Sequence, residues 1–367
     1  MIYVIGSLPE DKVLQELLQV LGKVVRPESV IEEYKSVWFV GIPGSFQVEA
    51  VATDGEQYVS VTVEATDDKG SNFAVPFVEL EQRAADCQGN ELEIEGKYLA
   101  LPEIPCPPAD AVTTELPEKI GDLLTRAIPI VDCKAEQEIL RGINFSASGI
   151  VAANKEMLLY LPCHLTLKQN VTLPVPPFAL PAEEKGSLHI WGNSFQMQIG
   201  KVKWQGKILE GEFLDWRNIV PSDTSLNCTV NLKEPEKIID FLQSFPEQPQ
   251  DDWIVLKKRS GEAFELASYV QNEHSMSIKT LTTGAYPGAS LCLDRGLLLK
   301  ALQMGYSTLK LRDVLNPVVF SGENGYCVVM PVRCPDLFKA SSQRRKWGCV
   351  CITATILLLL LIGLLLG

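Results

Sequence analysis

Histidine is scarce in this chain: 367 residues carry only His164, His189 and His274. No HExxH helix occurs, and the ten cysteines include no Cys-x-x-Cys pair, so the spacings that hold zinc are missing. A P-loop, a Gly-x-Ser-x-Gly elbow and the kinase signatures are also absent. These gaps remove the common routes to catalysis, and neither an enzymatic role nor a cofactor is expected. Basic charge is lacking too, since the formal net charge is −13. Residues 335–367 hold four Lys or Arg against one Asp, which makes residues 1–334 alone −16. Any contact with a polyanion must therefore sit on a local face. No charged segment followed by a long apolar run opens the chain. The sequons at Asn144, Asn170 and Asn227 then read as chance matches in a cytoplasmic protein, and the thiols as reduced and mostly buried.

What is present is a globular balance, 46% hydrophobic and 22% charged, in a chain long enough for two or three domains. One pattern occurs three times: Pro-Glu, a nearby Lys and an amphipathic helix. The copies are Pro9-Glu10-Asp11-Lys12 before Val13–Val25, Pro117-Glu118-Lys119 before Ile120–Ile128, and Pro235-Glu236-Lys237 before Ile238–Phe245. Pro suits the first helical position and Glu the positive end of the helix dipole. The copies are 108 and 118 residues apart, the size of a small domain rather than of a solenoid unit. After each helix come two β-like runs separated by a polar break, and in the first copy the runs alternate. These are Phe46–Ala50 and Tyr58–Val63 around Thr53-Asp54-Gly55, Gly149–Ala152 and Met157–Tyr160, and Phe264–Ala267 and Met276–Ile278.

The spacing predicts three tandem α+β domains over residues 1–108, 109–228 and 229–334, with residues 335–367 as a basic linker and apolar tail. In the first domain, Val13, Leu14, Leu17, Leu18 and Leu21 form one helical stripe. Pro76 opens a second helix through Ala84, Asn90–Ala100 reads as strand, and Pro102–Pro108 as a linker. Pro174, Pro176, Pro177 and Pro181 forbid a long second helix in the middle domain, so that element is lost or shortened. In the third, Asp294 is the expected N-cap of a helix carrying Leu297, Leu298, Ala301 and Leu302.

Three segments carry a family resemblance. Lys207-Ile-Leu-Glu-Gly-Glu-Phe-Leu-Asp-Trp-Arg-Asn-Ile-Val-Pro221 resembles the Lys-Leu-Val-(Asp/Glu)-Gly-x-Phe-Pro-Asp-Tyr-x-x-Val-Ile/Leu-Pro segment of the bacterial sliding clamp, the beta subunit of DNA polymerase III. Tyr326-Cys-Val-Val-Met-Pro-Val-Arg333 is similar to that family's closing Tyr-Val-Val-Met-Pro-Met-Arg, and Leu140-Arg-Gly-Ile-Asn-Phe145 to its Leu-Asn-Gly-Ile-x-Phe. The resemblance is strong over residues 110–333, weaker over 1–105 and absent from 335 onward. It implies a DNA clamp architecture with helices inside and sheets outside, and a homodimer ring around duplex DNA. It further implies a non-catalytic processivity factor that tethers DNA polymerase and clamp-loader subunits through a short peptide motif. Carried over, the peptide cleft is Leu140, Leu158, Pro221, Val328, Met330, Pro331, Val332 and Arg333. The DNA-facing candidates are Lys12, Lys23, Arg83, Lys119, Arg126, Lys237 and Lys300, interleaved with Glu16, Asp122 and Asp240.

Two departures stand out. The family's Ala-Thr-Asp-Gly-His-Arg-Leu loop is Ala152-Ala-Asn-Lys-Glu-Met-Leu158 here, and Leu92–Pro108 is too short for the strand pair that such clamps place at their dimer edge. The tail is a third feature that the family does not supply. Gly348–Gly367 carries no charge, and 20 residues at ~1.5 Å rise span roughly 30 Å, enough to cross a hydrocarbon core. With Arg344-Arg345-Lys346-Trp347 before it, this reads as a transmembrane-like tail anchor. A membrane-anchored clamp-fold scaffold that no longer encircles DNA is the alternative function. Asp336-Leu337-Phe338 resembles the end of the peptides that clamp partners insert.

Overall fold

The computed structural model describes residues 2–5, 12–65, 72–86, 92–96, 99–100, 102–245, 252–259, 263–269, 275–286 and 290–333. The chain divides into two compact units, Met1–Leu214 and Asp215–Gly367.

The first unit runs β1 (Ile2–Ile5), α1 (Lys12–Leu21), β2 (Ser36–Gly41), β3 (Gln47–Thr53), β4 (Tyr58–Glu64), β5 (Phe73–Pro76), α2 (Phe77–Asp86) and β6 (Leu92–Glu95). It continues β7 (Val112–Leu116), α3 (Ile120–Ala127), β8 (Gly142–Ser146), β9 (Gly149–Ala153), β10 (Met157–Pro162), β11 (Val171–Pro174), β12 (Gly186–Trp191), β13 (Ser194–Ile199) and β14 (Val202–Lys207). An eight-stranded antiparallel sheet takes the order β5-β2-β3-β4-β14-β13-β12-β7, while β11-β8-β9-β10 form a second antiparallel set. β1 pairs only with β6 among the described residues.

Local chemistry explains the two hairpins that match. In the β3–β4 turn, Asp54 Oδ1 accepts from the N–H groups of Glu56 (2.9 Å) and Gln57 (2.8 Å). In the β9–β10 turn, Asn154 Oδ1 does the same for Glu156 (2.9 Å) and Met157 (2.8 Å). Each is a side chain imitating a backbone turn, and the repetition ties the two halves of this unit at the level of single atoms. The halves meet where β4 pairs with β14, with Val61 opposite Val202 and Val59 opposite Trp204. Trp204 is fully buried, stands edge-on to Phe195 at 4.7 Å, and donates through Nε1 to Gln57 Oε1 at 2.8 Å. Its polar atom is thus satisfied inside the core, the condition for burying a tryptophan cheaply.

The second unit runs α4 (Trp216–Ile219), β15 (Cys228–Leu232), α5 (Pro235–Gln243), β16 (Trp253–Lys258), β17 (Ala263–Ser268), β18 (Ser275–Gly284), β19 (Ser290–Asp294), α6 (Arg295–Gln303), β20 (Thr308–Leu311), β21 (Val318–Gly322) and β22 (Gly325–Val329). Its strands follow the order β22-β21-β20-β15-β18-β17-β16-β19, all antiparallel. β18 serves two partners, its Ser275–Lys279 half pairing with β17 and its Thr280–Gly284 half with β15. α5 and α6 lie against each other and bury Ile238, Leu242, Leu297, Leu298, Ala301 and Leu302.

The α+β architecture and most expected elements appear, with specific differences. α1 stops at Leu21, and Gly22 after it packs so closely on Phe77 that a Cβ there would come within 2.6 Å of the ring. Lys23 therefore follows the helix instead of lying on it. Pro235 does occupy the first turn of α5, but Pro117 precedes its helix by a turn, with Ile120 N–H donating to the Pro117 carbonyl. Pro9-Glu10-Asp11 lies outside the described residues. Asp294 caps α6 as expected, accepting from Leu297 N–H at 3.0 Å. Instead of a strand through Ala100, β6 ends at Glu95, and the Pro-rich segment is more than a linker. Leu99 and Ile104 pack on buried Trp38, Val51 and Ala74, and the Gln205 amide donates to the Pro105 carbonyl.

Cysteine also corrects an expectation. Cys106, Cys133, Cys163, Cys228 and Cys327 are free thiols, but Cys292 is disulfide-bonded. Burial pushes the Cys163 thiol up to about 11 and raises Cys327 further still. Asn144 is 3% exposed inside β8 and donates to Thr172 Oγ1, so its sequon is not open to glycosylation. No helix of the described residues is long and apolar enough to cross a membrane, and Gly348–Gly367 and Asp336-Leu337-Phe338 lie outside them.

Candidate partner cleft and nucleic-acid face

Of the eight expected cleft residues, Leu140 and Leu158 belong to the first unit and the other six to the second. Leu140 sits half-buried in a 3-10 turn, Glu138–Arg141, that Arg141 Nε fastens by donating to the Ala135 carbonyl at 2.7 Å. Leu158 and Val328 are 4% and 2% exposed, interior residues of their own strands. Both faces of β22 are covered at its end, where Cys327, Val328 and Val329 are all buried; past Val329 the chain leaves the strand and exposes Met330 to 44%, with Arg333 also exposed. Pro331 and Val332 are half-buried. Val332 N–H donates to the Cys292 carbonyl at 2.9 Å, and its side chain packs on Val255, Cys292, Trp253 and Tyr269. Pro221 is half-buried after α4, where the Arg217 guanidinium stacks 4.4 Å above the Trp216 ring. In the second unit, Met330, Pro331 and Arg333 thus offer one continuous stretch with apolar and cationic surface. Of the two substitutions in the loop after β9, Glu156 is exposed but Met157 is 2% exposed. The residue standing where the family has Arg has joined the core.

The candidate cations differ in their freedom. Lys119 is exposed at the N-terminal end of α3. Lys23 is exposed just after α1. Arg83 is half-buried and pairs with Glu79 one turn earlier at 2.6 Å. Lys237 bonds Glu234 Oε1 at 2.9 Å; that bond and the charge of Lys237 hold the Glu234 carboxyl below its ordinary value. Arg126 and Lys300 are half-buried on α3 and α6. Lys12 opens α1, and its side chain lies outside the described residues. Exposed ion pairs of this kind are worth little and exchange readily for other anions, so Arg83 and Lys237 remain able to meet a phosphate. Among the described residues no group of His, Cys, Asp and Glu could hold a metal ion.

Sequence reasoning missed Arg295. It is 7% exposed at the start of α6, where its guanidinium grips Asp252 and donates through Nη1 to the carbonyls of Leu242 (2.7 Å) and Phe245 (3.2 Å) at the end of α5. It positions the two helices that carry Lys237 and Lys300. Only the pairing of an Arg directly behind an N-cap Asp could have drawn attention to it.

No family model and no curated protein matches the chain. Its fold, however, matches solved structures along nearly their whole length. The DNA polymerase sliding clamp of Bacillus subtilis is 14% identical, with a TM-score of 0.73 over 91% of this chain and 99% of that one. The DNA polymerase III beta subunit of Thermotoga maritima gives 14% and 0.72 over 91% and 99%. The Helicobacter pylori beta clamp bound to a DNA ligase peptide gives 14% and 0.74 over 91% and 100%. The α+β body of this chain therefore has the sliding-clamp fold.

Proposed function

We propose that this chain is a DNA sliding clamp, a non-catalytic processivity factor that encircles duplex DNA as a homodimer and tethers DNA polymerase and clamp-loader subunits. The observation that carries this reading is the likeness to sliding clamps over 91% of the chain, in which the two halves of the first unit repeat the same hairpin turn. In this reading the clamp domains are residues 1–108, 109–228 and 229–334, and the helices carrying Lys12, Arg83, Lys119, Arg126, Lys237 and Lys300, with Lys23 beside them, face the DNA. Contacts of this kind are sequence-independent and salt-sensitive, as sliding requires. Partner peptides dock on the second unit at Pro221 and the Met330–Arg333 stretch, whereas Leu158 and Val328 serve as the core beneath their own strands. The protein works in the cytoplasm, and residues 348–367 hold it at a membrane.

A second reading, a membrane-anchored scaffold of clamp fold that does not encircle DNA, is favoured by one observation: among the described residues β1 pairs only with β6. Loading on nicked circular duplex followed by linearisation separates the two. A ring stays on the circle and runs off the linear form, whereas equal loss from both sinks the encircling role.

A further inference from the structure

Cys292 stands apart among the described cysteines. Cys106, Cys133, Cys163, Cys228 and Cys327 are free thiols, whereas Cys292 is joined in a disulfide. Cys87, Cys334, Cys349 and Cys351 lie outside the described residues, and its partner is one of these four. In a protein that works in the cytoplasm and keeps its other described cysteines as thiols, a single disulfide reads as a redox-responsive bond rather than a structural staple.

The surroundings of Cys292 select the partner. Cys292 is the third residue of β19 and is 4% exposed. The Val332 N–H donates to its carbonyl at 2.9 Å, and the Val332 side chain packs on Cys292 and Val255. Cys334 follows Val332 by two residues, a span of at most ~7 Å. A disulfide needs its two Cα atoms about 4.4–6.8 Å apart, and a chain already bonded to Cys292 at Val332 has Cys334 within that reach. Cys349 and Cys351 stand at least 15 residues further on, and Cys87 follows α2 in the other unit.

What this bond holds is the stretch from Met330 to Arg333. β22 ends at Val329; past it Met330 and Arg333 are exposed, and the Val332 N–H ties the stretch to β19. A covalent bond directly after Arg333 fixes the stretch from its far end as well. A surface held at both ends binds with less ordering cost than one held at a single end.

We propose that Cys292 and Cys334 form a reversible clasp that sets Met330–Arg333 on β19 when closed and frees the stretch when a dithiol opens it. The clasp rests on the docking reading for the role of the stretch, and not for the bond itself. In opening, one thiolate of the dithiol attacks a sulfur of the bond to form a mixed disulfide, and its second thiolate then displaces the protein sulfur. Both cysteines leave as thiols and the dithiol as a cyclic disulfide, so two electrons and two protons pass to the protein. A small-molecule disulfide reverses the exchange.

The test equilibrates the full-length protein in detergent with oxidised glutathione, alkylates it without reduction and maps the digest by mass spectrometry. The expected product links the peptide of Cys292 to that of Cys334. Hydrogen exchange at the Val332 amide is then followed with and without dithiothreitol. Reduction is expected to speed it about tenfold or more, and Cys334→Ser to show the faster rate whether or not dithiothreitol is present. Cys292 found free, or joined to Cys87, Cys349 or Cys351, overturns the pairing. The expected pairing with an unchanged Val332 rate overturns the clasp. Neither measurement uses DNA, so failure here is distinct from failure of the clamp reading.

Discussion

Replacing Arg295 by Met keeps most of the aliphatic volume and removes every donor. The guanidinium at 7% exposure satisfies Asp252, whose side chain is 28% exposed, from Nε (2.9 and 2.8 Å) and Nη2 (2.8 Å). It also satisfies two carbonyls at the end of α5, the negative end of that helix, where a cation is favoured. Removing one partner of a buried pair costs about 3–5 kcal/mol. Because Asp252 keeps some contact with water, the lower end, about 3 kcal/mol, is expected for Arg295→Met. Arg295→Lys, which offers one ammonium for several acceptors, should lose about half of that. Adding Asp252→Leu to Arg295→Met should recover at least ~1 kcal/mol, since no lone carboxylate remains. Urea unfolding measures the stabilities, and hydrogen exchange at Phe241–Phe245 reports whether the end of α5 frays. DNA affinity should fall in parallel, because the helices bearing Lys237 and Lys300 lose their common anchor. A loss below ~1 kcal/mol for Arg295→Met, or no recovery in the double variant, would refute the account of Arg295 as a buried staple.

Three further outcomes are expected. Met330→Ala should weaken a partner peptide about tenfold, or about 1.4 kcal/mol, with an unchanged melting temperature. Val328→Ala, in contrast, should lower stability by ~1–3 kcal/mol because it empties core space; calorimetry and peptide titration tell the two apart. Lys119→Gln should reduce the slope of log affinity against log salt by about 0.9 and Lys237→Gln by less, since the latter already shares its charge with Glu234; filter binding on duplex DNA at several salt concentrations measures both. At pH 8 iodoacetamide should label the exposed Cys106 and Cys133 first and Cys163 slowly, with its thiol held near 11, while Cys327 stays inert until unfolding.

The strands and helix stripes of this chain are written locally, and the sequence by itself determined them. Period-two alternation gave β3 and β4, because each residue's side of the pleat depends only on its neighbours, and short apolar runs around a polar break gave β9 and β10 and β17 and β18. Asp294 announced α6, since a cap acts within three residues. The three motifs from Leu140 to Arg333 pointed to the clamp fold that the solved structures share. Pairing between distant strands was not legible: β4 selects β14 some 140 residues away through the fit of Val61 on Val202 and of Trp204 on Gln57, which no window of sequence contains. The same limit hid the burial of Val328 beside an exposed Met330, because strand-like apolar residues look alike until the sheet assigns their faces. Arg295 was invisible for a related reason. Its partners at Asp252, Leu242 and Phe245 converge only when α5 and α6 pack, and only there does a charged side chain become the fixture that sets two helices in place.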